Sequence, residues 1–162
     1  MKLQLTVDNL RMIHWWVGAS HLTHEDCKEH TGAMMSLDKG AALSFSRKHK
    51  LNTKSSTESE LVGPNDAIQD ILWARMFIEG QGYTVDINIV YQDNKSTILL
   101  AVNGRFSSSK RTKHICARYF LVKDLIARDE MEVRHESTTR MWSDVLTKPL
   151  QGQGFRVENF FS

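Results

Sequence analysis

The sequence predicts an α/β fold, a mixed β-sheet covered by helices. Three observations predict it. Strand-like runs fill the first third of the chain without helical spacing. From Thr57 onward, helix-like and strand-like segments alternate. The chain has 162 residues, 41% of them hydrophobic and 25% charged, which suits one domain with a real core.

Residues 11–20 (RMIHWWVGAS) and 32–46 (GAMMSLDKGAALSFS) read as strands, the second carrying a turn signal at Asp38-Lys39-Gly40. KHKLNTKSST reads as a polar strand end and loop. From Thr57 to Glu79 the apolar Leu61, Ile68, Ile71, Leu72 and Met76 recur at helical spacing, and Gly80 and Gly82 stop the helix. Pro64 sits awkwardly inside it. An interior proline costs about 3 kcal/mol and kinks a helix, so Pro64 predicts either a kink or a main helix that begins there behind a separate leading turn.

Residues 86–92 (DINIVYQ) alternate and are β-branched, predicting a strand. Asn94 is an N-cap for a helix over STILLAV, closed by Asn103-Gly104. RFSSSKRTK is a polar, basic connection before a helix over HICARYFLVKDLIAR. MEVRHE, 131–136, forms a last strand, and MWSDVLTK opens a final helical turn limited by Pro149. The aromatics Trp15, Trp16, Trp73, Tyr119 and Phe120 are expected in the core.

Composition narrows the functional classes. The net charge of +2 does not announce a nucleic-acid binder, so any such surface must be local. Cys27 and Cys116 form no disulfide framework and suit a reducing, intracellular setting. No run reaches membrane-spanning length, and MKLQLTVDNLR lacks the apolar centre of a signal peptide. The abrupt, strand-like start suits a fragment of something longer.

Three acids stand out by position. Asp93 ends an apolar strand, where open α/β sheets place ligand sites. Glu60 opens a helix just after a strand and loop, and Asp144 starts the last helical turn among Trp142, Val145 and Leu146. Acids that converge from separate elements repel unless a hard cation such as Mg²⁺ lies between them. Two such ions activate a water and stabilise the leaving oxygen in phosphodiester cleavage. Each acid also has an ordinary explanation. Thr57-x-x-Glu60 is a capping box, Asp93 precedes an N-cap, and Asp144 favours a helix N-terminus. Spacing alone does not choose.

Gly18 raises a related question. It interrupts the run WWVGAS, and glycine weakens a strand interior. Either the backbone is closely approached there, or a side chain that belongs at the position is missing.

Other constellations carry less. His21, His24, Cys27 and His30 recur every third residue, as zinc ligands can. A row of that spacing alternates faces on a strand, so a zinc-organised interaction module is the remote reading. Ser107 to His114 combines hydroxyls with Lys110, Arg111, Lys113 and His114, which is a solvated basic loop unless phosphate is its partner. His135 reads as a strand-end histidine with the chemistry of a proton shuttle.

Taken in order, HTGAMMSLDKGA, NTKSSTESELV, QGY, YQDNKS, SSSKRTKHI, RYFLV and SDVLTKPLQG resemble the ribonuclease H domain of copia-type retrotransposon polyproteins, from about Leu5 to Phe155. The resemblance implies a ribonuclease H-like fold, a five-stranded mixed sheet with helices on both faces. Residues 1–162 are then one domain, with about 1–10 the end of a preceding connection segment and about 150–162 a C-terminal tail. It implies an endonuclease cutting the RNA strand of RNA–DNA hybrids with four carboxylates and two Mg²⁺ ions. Glu60 matches the second glutamate of the STEAEL-like box, Asp93 the aspartate of YQDN, and Asp144 that of the ADxLTKPL-like box. All three are expected in one metal-binding cluster at the end of the strand before Asn94.

The family's first strand reads like WWVDAS, so its metal-bridging aspartate falls at Gly18, and impaired catalysis is the expectation. Asp8 lies too far along the strand to substitute, whereas Glu25 and Asp26 follow it. The resemblance turns the basic segment Lys110, Arg111, Lys113 and His114 into a phosphate track and adds Asn52, Thr53 and Asn94 as minor-groove contacts. It also implies the reverse transcriptase portion of the same polyprotein as a partner, and a cytoplasmic retrotransposon particle as location. A non-catalytic hybrid-binding or structural module of the polyprotein is the alternative.

Overall fold

The computed structural model describes residues 6–7, 9–20, 29–48, 56–103 and 121–147, with the backbone alone at 56–62, 100 and 103. In chain order the elements are β1 (Thr6–Val7), β2 (Met12–Ser20), β3 (His30–Ser36), β4 (Asp38–Lys39) and β5 (Leu43–Lys48), then α1 (Ser56–Gly80), β6 (Ile87–Gln92) and α2 (Lys95–Asn103). Residues 121–127 are helical (α3), followed by β7 (Met131–His135), a 3-10 turn (Thr138–Arg140) and α4 (Asp144–Thr147).

Five strands form one mixed sheet in the order β5-β3-β2-β6-β7, while β1 and β4 pair separately. β2, β3 and β5 are antiparallel neighbours; β2, β6 and β7 run parallel. The central strand β2 is covered on both faces, with Trp15 to Gly18 all buried. Ile13, Trp15 and Val17 turn into the core, against Ala67, Ile68, Ile71, Ala74 and Ile78 of α1, with Val122 and Leu125 of α3 in the same cluster. Arg47 of β5 adds a two-pronged ion pair to Asp70 of α1, at 2.7 and 3.0 Å.

The punctuation follows the sequence. Gly82 has φ of +89°, its amide bonds the Glu79 carbonyl (2.9 Å), and Tyr83 N–H bonds that of Ile78 (3.3 Å). That is the glycine-closed helix end the spacing predicts. Asn94 caps α2, its Oδ1 accepting from the amides of Ser96 (2.8 Å) and Thr97 (3.3 Å).

Two expectations need correction. α1 runs without a break through Pro64 for 25 residues, with no separate leading turn. Proline removes one amide donor, but Gly63, Pro64, Ala67 and Ile68 are all buried, so packing outweighs the local cost. Trp73 is 58% exposed, not core, and stacks on Phe77 at 5.3 Å. Two residues of helix are about 200° of rotation, so Trp73 faces away from the buried Ile71. Trp15 and Trp16 are buried as expected, whereas Tyr119 and Phe120 lie outside the described residues.

Candidate functional site at the end of the central strand

The face of β2 opposite the core carries His14, Trp16 and Gly18. Trp16 stacks on Trp142 at 4.2 Å and on Tyr91 at 5.0 Å, and Tyr91 stacks on His14 at 5.9 Å. His14 Nδ1 and the Tyr91 hydroxyl are hydrogen-bonded at 3.1 Å. Burial in this stack, helped by the charge of Arg134, lowers the His14 pKa below 6.5. The stack clamps Trp142, and so the segment leading into Asp144, onto the sheet.

Directly beyond the stack, Gly18 pairs with Gly32 across β2 and β3, and Gly32 pairs with Ser46 across β3 and β5. This transverse row is the seat of α4. Ser46 Oγ donates to the Leu146 carbonyl at 2.6 Å, and His30 Nε2 is hydrogen-bonded to the same Ser46 hydroxyl. A Cβ at Gly32 would lie 2.7 Å from Thr147 Cγ2, 2.8 Å from Leu146 Cβ and 2.9 Å from the Ser143 carbonyl oxygen. Gly32 is therefore a close-approach glycine.

Gly18 differs. A Cβ there would lie 2.9 Å from Ser143 Oγ, while its next neighbours, Ser143 Cβ and Asp144 Oδ1, stand at 3.7 and 3.8 Å, which is ordinary contact. A side chain at position 18 would thus point at the Asp144 carboxylate.

Asp93 reaches the same sheet end from the other side. β2 and β6 pair in parallel from Met12↔Ile87 to Trp16↔Tyr91, and Asp93 follows directly on the last residue of β6, Gln92. Asp93 Oδ2 accepts from Thr138 Oγ1 (3.1 Å) on the turn that leads to α4, and the Asp93 amide donates to Gln92 Oε1 (2.9 Å). α1 closes the third side. A Cβ at Gly63 would meet Ala19 Cβ at 3.3 Å and the Gly18 carbonyl oxygen at 3.6 Å. Glu60 precedes that contact by three residues in α1, and its side chain lies outside the described residues.

His135 ends β7 opposite Gln92 and is exposed. Asn94 commits its Oδ1 to the α2 cap, which does not use its Nδ2. Asp8, His21, His24, Glu25, Asp26, Cys27, Asn52, Thr53, Lys110, Arg111, Lys113 and His114 lie outside the described residues. Among the described residues, no three His, Cys, Asp or Glu side chains gather into a metal-holding group. Within the same residues, no helix is long and apolar enough to cross a membrane. Residue-by-residue reasoning did not single out Ser143, Ser46 or Thr138. The one signal for them was the repeated glycine, since Gly18 and Gly32 interrupt both strands of one antiparallel pair.

No family model matches the chain. It is 28% identical over 130 residues to the retrovirus-related Pol polyprotein from transposon TNT 1-94 of Nicotiana tabacum, a match covering 80% of this chain and 10% of that protein. It is 30% identical over 118 residues to the corresponding polyprotein from transposon RE1 of Arabidopsis thaliana, covering 72% of this chain and 8% of that one. The chain spans about a tenth or less of the length of these curated relatives. Its fold is similar to the N-terminal ribonuclease H domain of a Mycobacterium tuberculosis protein, with TM-score 0.61, 12% identity, and 84% and 90% of the two chains covered. It is also similar to LC11-RNase H1, solved in complex with an RNA/DNA hybrid, with TM-score 0.60, 12% identity, and 83% and 93% covered. Fold similarity and sequence relationship agree: the chain is a ribonuclease H-like domain of the copia-type retrotransposon Pol polyprotein family.

Proposed function

We propose that this domain acts on the RNA strand of RNA–DNA hybrids and that its catalysis is impaired, because Gly18 stands where a metal-bridging aspartate belongs. The observation that carries this reading is the 3.8 Å between a Cβ at Gly18 and Asp144 Oδ1. A carboxylate at that position would join Asp144, and Asp93, just past the end of the neighbouring strand β6, is the third acid that would serve the group. The donors fit a hard cation in kind, being carboxylate oxygens, but the set is one short. Asp93, Asp144 and Glu60 are the residues that would hold Mg²⁺, and their three negative charges would fall short of the four positive charges of two ions. When bound, such ions supply water activation and leaving-oxygen stabilisation.

The chain's own residues do the rest. Thr138 orients the Asp93 carboxylate, and the Trp16–Trp142 stack holds Asp144 over the strand end. His135, exposed at the end of β7, would serve as the proton shuttle. Lys110, Arg111, Lys113 and His114 would bind phosphate oxygens, and Asn52, Thr53 and Asn94 would contribute minor-groove contacts. The reverse transcriptase portion of a Pol polyprotein is the partner in cis, and a cytoplasmic retrotransposon particle is the setting.

Hybrid binding without cleavage is the second reading, and the Ser143 hydroxyl standing against Gly18 favours it. Binding and Mg²⁺-dependent cleavage of one labelled hybrid, measured together, separate the two. The proposal expects a preference for hybrid over duplex DNA and slow cleavage that Asp93→Asn abolishes while binding persists. No preference for hybrid would contradict it, and binding with no detectable cleavage at any Mg²⁺ level would select the second reading.

A further inference from the structure

Gly18 is not demanded by its backbone. Among the described residues the positive-φ glycines are Gly40 and Gly82, so Gly18 has a strand conformation open to any side chain. Nor does another backbone crowd it. Its single contact shorter than ordinary packing is Ser143 Oγ, at 2.9 Å from a Cβ. Gly32, across the strand pair, would strike backbone and two side chains at once.

Ser143 is equally particular. It is fully buried, and its hydroxyl has no hydrogen-bond partner among the described residues. A buried, unsatisfied hydroxyl is a cost to folding. Here it occupies the space into which a side chain at position 18 would grow.

We infer that Ser143 is a positioning residue that closes position 18, so that the two positions are sterically coupled and a side chain enters at 18 only when the buried Ser143 hydroxyl is turned out of its place or removed. That such a side chain should be a carboxylate rests on the proposed function; the coupling itself does not. Ser143 lies immediately before Asp144, so the same hydroxyl sets how near an acid at position 18 can come to the Asp144 carboxylate.

The test is a double-mutant cycle on the whole chain, read first by thermal melting. Gly18→Ala, Ser143→Ala and the double variant are compared with the natural chain. Gly18→Ala lowers the melting temperature when Ser143 is present. With Ser143→Ala it raises it, because the clash is gone and glycine's unfolded-state freedom is reduced. The expected coupling is about tenfold in the folding equilibrium constant. Equal effects of Gly18→Ala in the two backgrounds would overturn the inference.

A second series uses Gly18→Asp with and without Ser143→Ala and follows the melting temperature over a Mg²⁺ titration. A Mg²⁺-dependent rise that is larger in the double variant supports the inference, since a merely structural role for Ser143 would not change the response to the ion. An equal rise in both backgrounds would overturn it. Coupling in the alanine series with no Mg²⁺ response in the aspartate series upholds the steric pair and contradicts the proposed function instead.

Discussion

Two glycines, paired opposite each other on adjacent strands of one sheet, have opposite reasons for being glycine. Gly32 lets α4 touch the sheet, with three atoms under 3.0 Å from any Cβ, one of them a backbone oxygen. Gly32→Ala should therefore cost about 2–4 kcal/mol, measurable by urea unfolding, because the obstruction cannot rotate away. Gly18 meets one rotatable hydroxyl, so its replacement is a question of Ser143. His14 adds a pH signature. Its folded-state pKa lies below the ordinary 6.5, so the folded protein prefers the neutral ring. That contribution is present above pH 6.5 and is lost as pH falls through the lowered folded-state pKa. Melting temperature should drop on acidification in that window, and the His14→Phe variant should drop less. An unchanged pH profile in the variant would remove His14 as the cause.

At the scale of elements, α4 is four residues long and cannot hold itself together. It stays in place through the Trp16–Trp142 stack, the Ser46 bond to Leu146 and the glycine seat. Trp142→Ala should cost about 2 kcal/mol and loosen Asp144, seen as faster amide exchange at residues 143–147 than over β2. Asn94→Ala should cost about 1 kcal/mol through loss of the α2 cap, without changing the sheet. α1, α2 and the longer strands were legible because their signals are local: periodicity, an Asn cap, glycine stops. Continuity of α1 through Pro64 was not legible, since burial of that turn against β2 overrides the proline cost. Trp73 was misplaced for a related reason, hydrophobicity being weighed without the rotation that separates it from Ile71.

At the scale of the molecule, α/β class follows from the order of segments and the five-stranded mixed sheet was implied by the family resemblance, but the order β5-β3-β2-β6-β7 pairs residues far apart in sequence and no local signal gives it. The same distinction divides the site. Motifs single out Asp93, Asp144 and Gly18 for the proposed site, whereas nothing in the sequence singles out Ser143, because its contact with Gly18 exists only after the chain has folded. The basic segment gives a prediction at this scale. Replacing Lys110, Arg111 and Lys113 with alanine should weaken hybrid binding and flatten its log–log salt slope by up to about 2.7, roughly 0.9 per lost phosphate contact. An unchanged slope would place the phosphate track elsewhere.

The central claim is that a ribonuclease H-like site here lacks one carboxylate and that position 18 is where it belongs. Hybrid cleavage across a Mg²⁺ titration, for the natural chain beside Gly18→Asp combined with Ser143→Ala, tests it most directly. Each tenfold in rate is about 1.4 kcal/mol of barrier, and one lost metal site removes several kcal/mol. The account predicts natural-chain cleavage slower by orders of magnitude, with the double variant gaining at least about a hundredfold at lower Mg²⁺. Robust cleavage by the natural chain, with no gain in the double variant, would contradict it.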